Sequence, residues 1–113
     1  MFIKKRGMKM RRRKEYSQIE KEFMDNIKME YILFKSNMLL KSSREIYDSC
    51  SIIYFYECIY EYFQYNENVN NEFINLMHDR KNIIAELKDT YNEFEYLTVN
   101  TWDGIADIIC CCM

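Results

Sequence analysis

Apolar residues recur along this chain in helical steps, and over one stretch they crowd beyond a single stripe. Between Ile46 and Phe63 stand Ile46, Tyr47, Cys50, Ile52, Ile53, Tyr54, Phe55, Tyr56, Cys58, Ile59, Tyr60, Tyr62 and Phe63. A helix that is apolar nearly all round has to be wrapped by others, so the pattern predicts a central helix over Ser42–Tyr65. Ser42 with Glu45 three residues on forms a capping box at its start. Two strands are the rival reading, because Ile, Tyr and Phe favour sheets. Strands usually run about 3 to 10 residues, and no Gly, Pro or Asn breaks the segment between Ser42 and Gln64.

Upstream, Ile19, Phe23, Ile27, Tyr31, Phe34 and Met38 recur at three- and four-residue steps, with Glu20, Lys21, Asp25, Lys28 and Lys35 between them. This predicts an amphipathic first helix over Gln18–Leu40, capped by Ser17 with Glu20. The short Lys41–Ser43 connection then folds the first two helices into an antiparallel hairpin. Downstream, the Asn-rich run after Tyr65 is turn chemistry. A short third helix follows through Phe73, Ile74, Leu76 and Met77. A fourth is capped by Asn82 and runs through Ile83, Ile84, Leu87, Tyr91 and Phe94. A last is capped by Thr101 and runs through Trp102, Ile105, Ile108 and Ile109. The expected fold is all-α: one small helical domain, residues 15–113, of four or five helices around the central apolar one. Residues 1–14 form a flexible basic arm ahead of it.

Composition supports this. The 113 residues include no proline and only two glycines, which removes the punctuation of sandwiches, barrels and phosphate-binding loops. A domain of this size buries roughly 65% of its unfolded surface, enough for a real core. Charge is unevenly placed. Residues 1–14 hold eight of the 16 basic groups and no acid, whereas the other 99 residues carry eight basic and all 18 acidic groups, a charge of −10. A basic arm meets nucleic acid or anionic lipid, and an acidic body favours a basic protein surface.

Candidate chemistry is sparse. His78 is the sole histidine and has neither a metal-ligand cluster nor a Ser/His/Asp set around it in sequence. Glu57 and Glu61, four apart, read as a solvated helix edge, since the Glu-x-x-His companions of helical di-metal sites are missing. An enzyme would require both to converge with His78 in a pocket. No catalytic residue, metal site or cofactor is assigned. Cys50 and Cys58 read as small core residues. Cys110, Cys111 and Cys112 before Met113 match a prenylation box only in register, their middle positions being Cys rather than aliphatic, and read as frayed terminal thiols. With no secretory signal and no run long enough to span a bilayer, the expected location is a reducing, cytoplasmic one.

Two partner surfaces emerge. Glu86, Asp89, Glu93, Glu95, Asp103 and Asp107, with Tyr91, Tyr96 and Trp102 among them, populate the last two helices. Such a surface imitates duplex phosphates for a basic nucleic-acid-binding protein, though acidic groups also serve simply to keep a Tyr- and Ile-rich protein soluble. The alternative partner is nucleic acid itself, touched by Lys9, Arg11, Arg12, Arg13 and Lys14. Association with a second copy is open to either reading.

The segments EFMDNIKMEYILF, LLKSSREIYDSC with FYECIYEYF, and LKDTYNEFE with a closing IADII resemble a family of short helical proteins of unknown function found mainly in clostridial genomes and mobile elements, over about residues 22–109. The resemblance implies a bacterial, phage-borne or mobile-element helical module with no assigned activity. Size and acidity further suggest, by analogy, an inhibitor of host defence of the anti-CRISPR kind.

Overall fold

The computed structural model of the chain describes the backbone from residue 9 onward and the side chains from residue 18. Among the described residues there are six helices and no strand: α1 (Lys9–Leu39), α2 (Ser43–Asp48), α3 (Cys50–Tyr65), α4 (Asn71–Met77), α5 (Ile83–Glu93) and α6 (Trp102–Cys112). No described helix is long and apolar enough to cross a membrane. Of the expected basic arm, residues 1–8 lie outside the described residues. Residues 9–14 belong to the α1 backbone, and their side chains lie outside the described ones.

The six helices replace the expected four or five because the central apolar stretch is two helices, not one. Ser49 interrupts it with φ −101° and ψ 12°, in the sparsely occupied bridge region. Its N–H closes a tight turn onto the Ile46 carbonyl at 3.1 Å. No proline or glycine causes the break. Serine is a modest helix former whose hydroxyl competes for the backbone, and α2 buries no side chain that would hold it in line with α3.

Caps that act within one turn of sequence form as expected. Ser42 Oγ accepts from the Glu45 N–H, and the Glu45 carboxylate accepts from the Ser42 N–H at 2.9 Å. Thr101 Oγ1 accepts from the Gly104 N–H, and within the Asn-rich turn it is Asn70 that caps α4, its Oδ1 accepting from the Glu72 and Phe73 N–H groups. Two do not. Ser17 lies inside α1 rather than ahead of it. Asn82 makes no side-chain cap; the start of α5 is capped instead by Glu30 of α1, whose carboxylate accepts from Ile84 N–H at 2.8 Å and Ala85 N–H at 2.9 Å.

α1 and α3 form the expected antiparallel hairpin. Phe23 meets Phe63 edge-on at 5.1 Å, Tyr31 stacks on Tyr60 at 4.1 Å, and Phe34 stacks on Tyr56 at 3.8 Å. As the α1 number rises its α3 partner's falls. The core then gathers Phe23 and Ile27 from α1, Phe55, Ile59 and Phe63 from α3, Phe73 and Met77 from α4, Ile84 and Leu87 from α5, and Ile105, Ile108 and Ile109 from α6.

α3 is not wrapped, however. Its buried positions are Phe55, Ile59, Tyr62 and Phe63, one stripe. Tyr54 and Tyr65 are exposed, Ile52 is 40% exposed, and Ile53 is only half-buried. Cys50, expected in the core, is exposed, while Cys58 is half-buried against it. Three short helices cover one side of the hairpin and leave the other to solvent. The terminal cysteines do not fray as expected: α6 continues through Cys112, which packs on the core.

A candidate partner-binding surface and a groove on α1

α5 buries Ile83, Ile84 and Leu87, and the helical period therefore sends Glu86, Asp89 and Glu93 to its opposite side. Glu86 is held by Arg80, whose guanidinium donates to both carboxylate oxygens at 3.0 and 3.3 Å. Asp89, Glu93, Glu95, Asp103 and Asp107 are exposed and form no ion pair among the described residues. Their charges reach different neighbours. Asp89 acts on the Tyr56 hydroxyl and Glu86 on Glu30, whereas Asp103 acts on Tyr62 and Asp107 on Tyr96.

The aromatic residues divide as well. Tyr91 turns inward, its ring 5.1 Å from Phe55, so it belongs to the edge of the core. Tyr96 is exposed, stacked on Phe94 at 5.8 Å. Its hydroxyl lies 3.6 Å from Cys111 Sγ, a contact that raises the tyrosine's pKa through that hydrogen bond and the thiol's charge. Phe94, expected on the buried stripe of α5, sits beyond the helix end with extended backbone and is exposed. Trp102, half-exposed, stands edge-on to Tyr62 at 6.0 Å. Phe94 and Tyr96 thus form one exposed aromatic pair, and Trp102 stands apart from it at the start of α6.

His78, Glu57 and Glu61 do not share a site. His78 Nδ1 is 2.7 Å from Glu22 Oε1, and its carbonyl accepts from Asn26. Glu57 accepts from the Tyr31 hydroxyl at 2.7 Å and lies 4.0 Å from Lys35. Glu22 and Tyr31 are nine residues apart on α1, about 13 Å by helical rise. Among the described residues no three His, Cys, Asp or Glu side chains are arranged to hold a metal ion. The candidate nucleic-acid contacts Lys9, Arg11, Arg12, Arg13 and Lys14 lie outside the described side chains.

One feature had no signal in the pattern reading. A groove of about 770 Å³ runs between α1, α3 and the start of α5, with Met29, Leu33, Phe34, Tyr56 and Ala85 as its apolar walls and Asp25, Asn26, Asn37, Lys81 and Asn82 at its edges. Glu30 lies within it. Burial raises the Glu30 pKa above the ordinary 4.5, against the lowering effect of the Ile84 and Ala85 amides. Met29 and Leu33 are each 56% exposed. They belong to a second apolar stripe of α1, on the side away from Phe23 and Ile27. No protein-family model, curated protein or solved structure matches this chain.

Proposed function

We propose that this protein is a non-enzymatic binding module that takes a basic protein on the acidic and aromatic surface of α5, α6 and the loop between them. The observation that supports this reading is the set of carboxylates outside any ion pair among the described residues, Asp89, Glu93, Glu95, Asp103 and Asp107, on two helices whose connecting loop exposes Phe94 and Tyr96. Exposed aromatics bring large contact area at low entropic cost, and unpaired acids give a basic partner its register and speed its arrival. A partner that normally binds duplex phosphates meets the same charge here. The biological setting this reading suggests is a phage or mobile element whose acidic product occupies a host nucleic-acid-binding defence complex.

The test is a pull-down from a clostridial lysate under nuclease treatment, comparing the full chain, a chain starting at Glu15, and a charge-reversed variant E93K/D103K/D107K. Capture of a basic protein by the first two and not by the third is expected. Capture that needs residues 1–14, or that disappears with nuclease, moves the activity to Lys9–Lys14 and direct nucleic-acid binding.

A further inference from the structure

α1 carries two apolar stripes. Phe23, Ile27, Tyr31, Phe34 and Met38 pack inward. Met29, Ile32, Leu33 and Leu39 follow the same three-, four- and seven-residue steps on the outer side and are exposed, Leu39 to 77%, and Leu40 in the turn just past the helix end is 85% exposed. Small Ser36 sits midway along this outer stripe. The ridge extends roughly 16 Å along the helix, and Met29 and Leu33 form the wall it shares with the groove. A solvated helix face has no need of such a ridge. Contiguous exposed apolar surface bordered by polar groups marks an interaction site.

The borders indicate what occupies it. Lys21, Lys28 and Lys35 recur at seven-residue intervals along the edge next to Ile32, all exposed, and Lys81 stands on the far side of the groove. Asn26 and Asn37 form the other edge of the stripe. The acids nearby are Asp25 at the groove edge, Glu22, held by His78, Glu30, engaged by the α5 amides, and Glu57, shared by Tyr31 and Lys35, so the cations without an ion pair among the described residues are Lys21, Lys28 and Lys81. Against a body of charge −10, this ridge is lined by cations. We propose that the groove and the outer stripe of α1 bind an amphipathic helix of another protein, apolar on one side and acidic on its flanks. Heptad-spaced charges beside an apolar seam select a partner helix by complementary flanking charge.

The same arrangement disfavours other occupants. A second copy docked antiparallel on this stripe sets one lysine row against the other, and docked parallel it sets lysines against asparagines, so neither gains an ion pair. A lipid surface covers the ridge but cannot enter a groove walled by α1, α3 and α5.

The experiment is fluorescence anisotropy of the full chain with two synthetic heptad peptides, both with Leu at the seam, one flanked by Glu and one by Lys. The Glu-flanked peptide is expected to bind at least about tenfold more tightly, a difference of about 1.4 kcal/mol, and to weaken with salt. M29Q/L33Q should remove binding, and K28E should abolish the preference; both alter exposed positions. E93K/D107K should leave binding unchanged, which separates this surface from that of α5 and α6. Equal binding of the two peptides overturns the proposal. So does tighter binding to anionic phospholipid vesicles than to the Glu-flanked peptide, or a dimer that M29Q/L33Q dissociates.

Discussion

The carboxylate of Glu30 holds the backbone N–H of Ile84 at 2.8 Å, across 54 residues of chain. An N-cap is ordinarily supplied by the residue just before the helix; here α1 caps α5. Glu30→Ala should therefore behave as a cap deletion that also loosens α1 from α5, costing about 1–2 kcal/mol in urea denaturation. A loss under about 0.3 kcal/mol would show that water replaces the carboxylate without cost.

The same group predicts a pH dependence. Burial holds the folded pKa of Glu30 above its ordinary 4.5, so its protonated form favours the folded state. The resulting stability is fully present below 4.5 and is lost as pH rises through the folded value. Relative to Glu30→Gln, the wild type should become less stable as pH is raised upward from 4. Parallel stability profiles of the two proteins would contradict the shift.

Tyr31 titrates late. Burial, then its hydrogen bond to Glu57 and that carboxylate's charge, push its pKa from 10.0 up to about 12. The stability linked to this shift is present below pH 10 and is lost as pH climbs through about 12. In ring-labelled NMR titration, Glu57→Gln should move the Tyr31 transition to lower pH; an unmoved Tyr31 transition would show that Glu57 does not hold it up.

Position along α3 decides the cost of truncation. Ile59 is fully buried and Ile52 is 40% exposed. Ile59→Ala should cost about 2–5 kcal/mol through lost transfer energy and a residual cavity, and Ile52→Ala within about 0.5 kcal/mol. Similar denaturation midpoints for the two variants would mean that α3 faces the other way.

Gly104 is required by contact rather than by backbone angle. A Cβ there would fall on the Thr98 carbonyl oxygen and methyl group, where the loop before α6 crosses its first turn. Gly104→Ala improves helix propensity in isolation, yet it should lower the melting temperature, with overpacking costing about 1–3 kcal/mol. A rise in melting temperature would show that the Thr98 loop gives way.

Legibility in the sequence followed the range of the interaction. Ser42 and Thr101 cap the turns they precede, so local chemistry announced where the central stretch and α6 begin. The inward stripe from Phe23 to Met38 was equally plain, because helical period alone sorts those residues. The Glu30 cap and the Glu22–His78 pair were not legible, since each joins elements more than 50 residues apart. Apolar crowding around α3 was misleading for a different reason. An all-round apolar helix reads the same whether neighbours wrap it or one side is left for something outside the fold. Tyr91 and Phe94 show the cost of a one-turn error at a helix end: the pattern ran them together, and the backbone turns one inward and the other out.

The break at Ser49 leaves α2 as six residues with its own cap at each end and no side chain in the core. Of its side chains only Ile46 is half-buried, so little tertiary packing opposes its local opening. Its amides should exchange with deuterium orders of magnitude faster than those around Ile59. The far end of the hairpin should thus open locally, while the packed stem below it opens only with global unfolding.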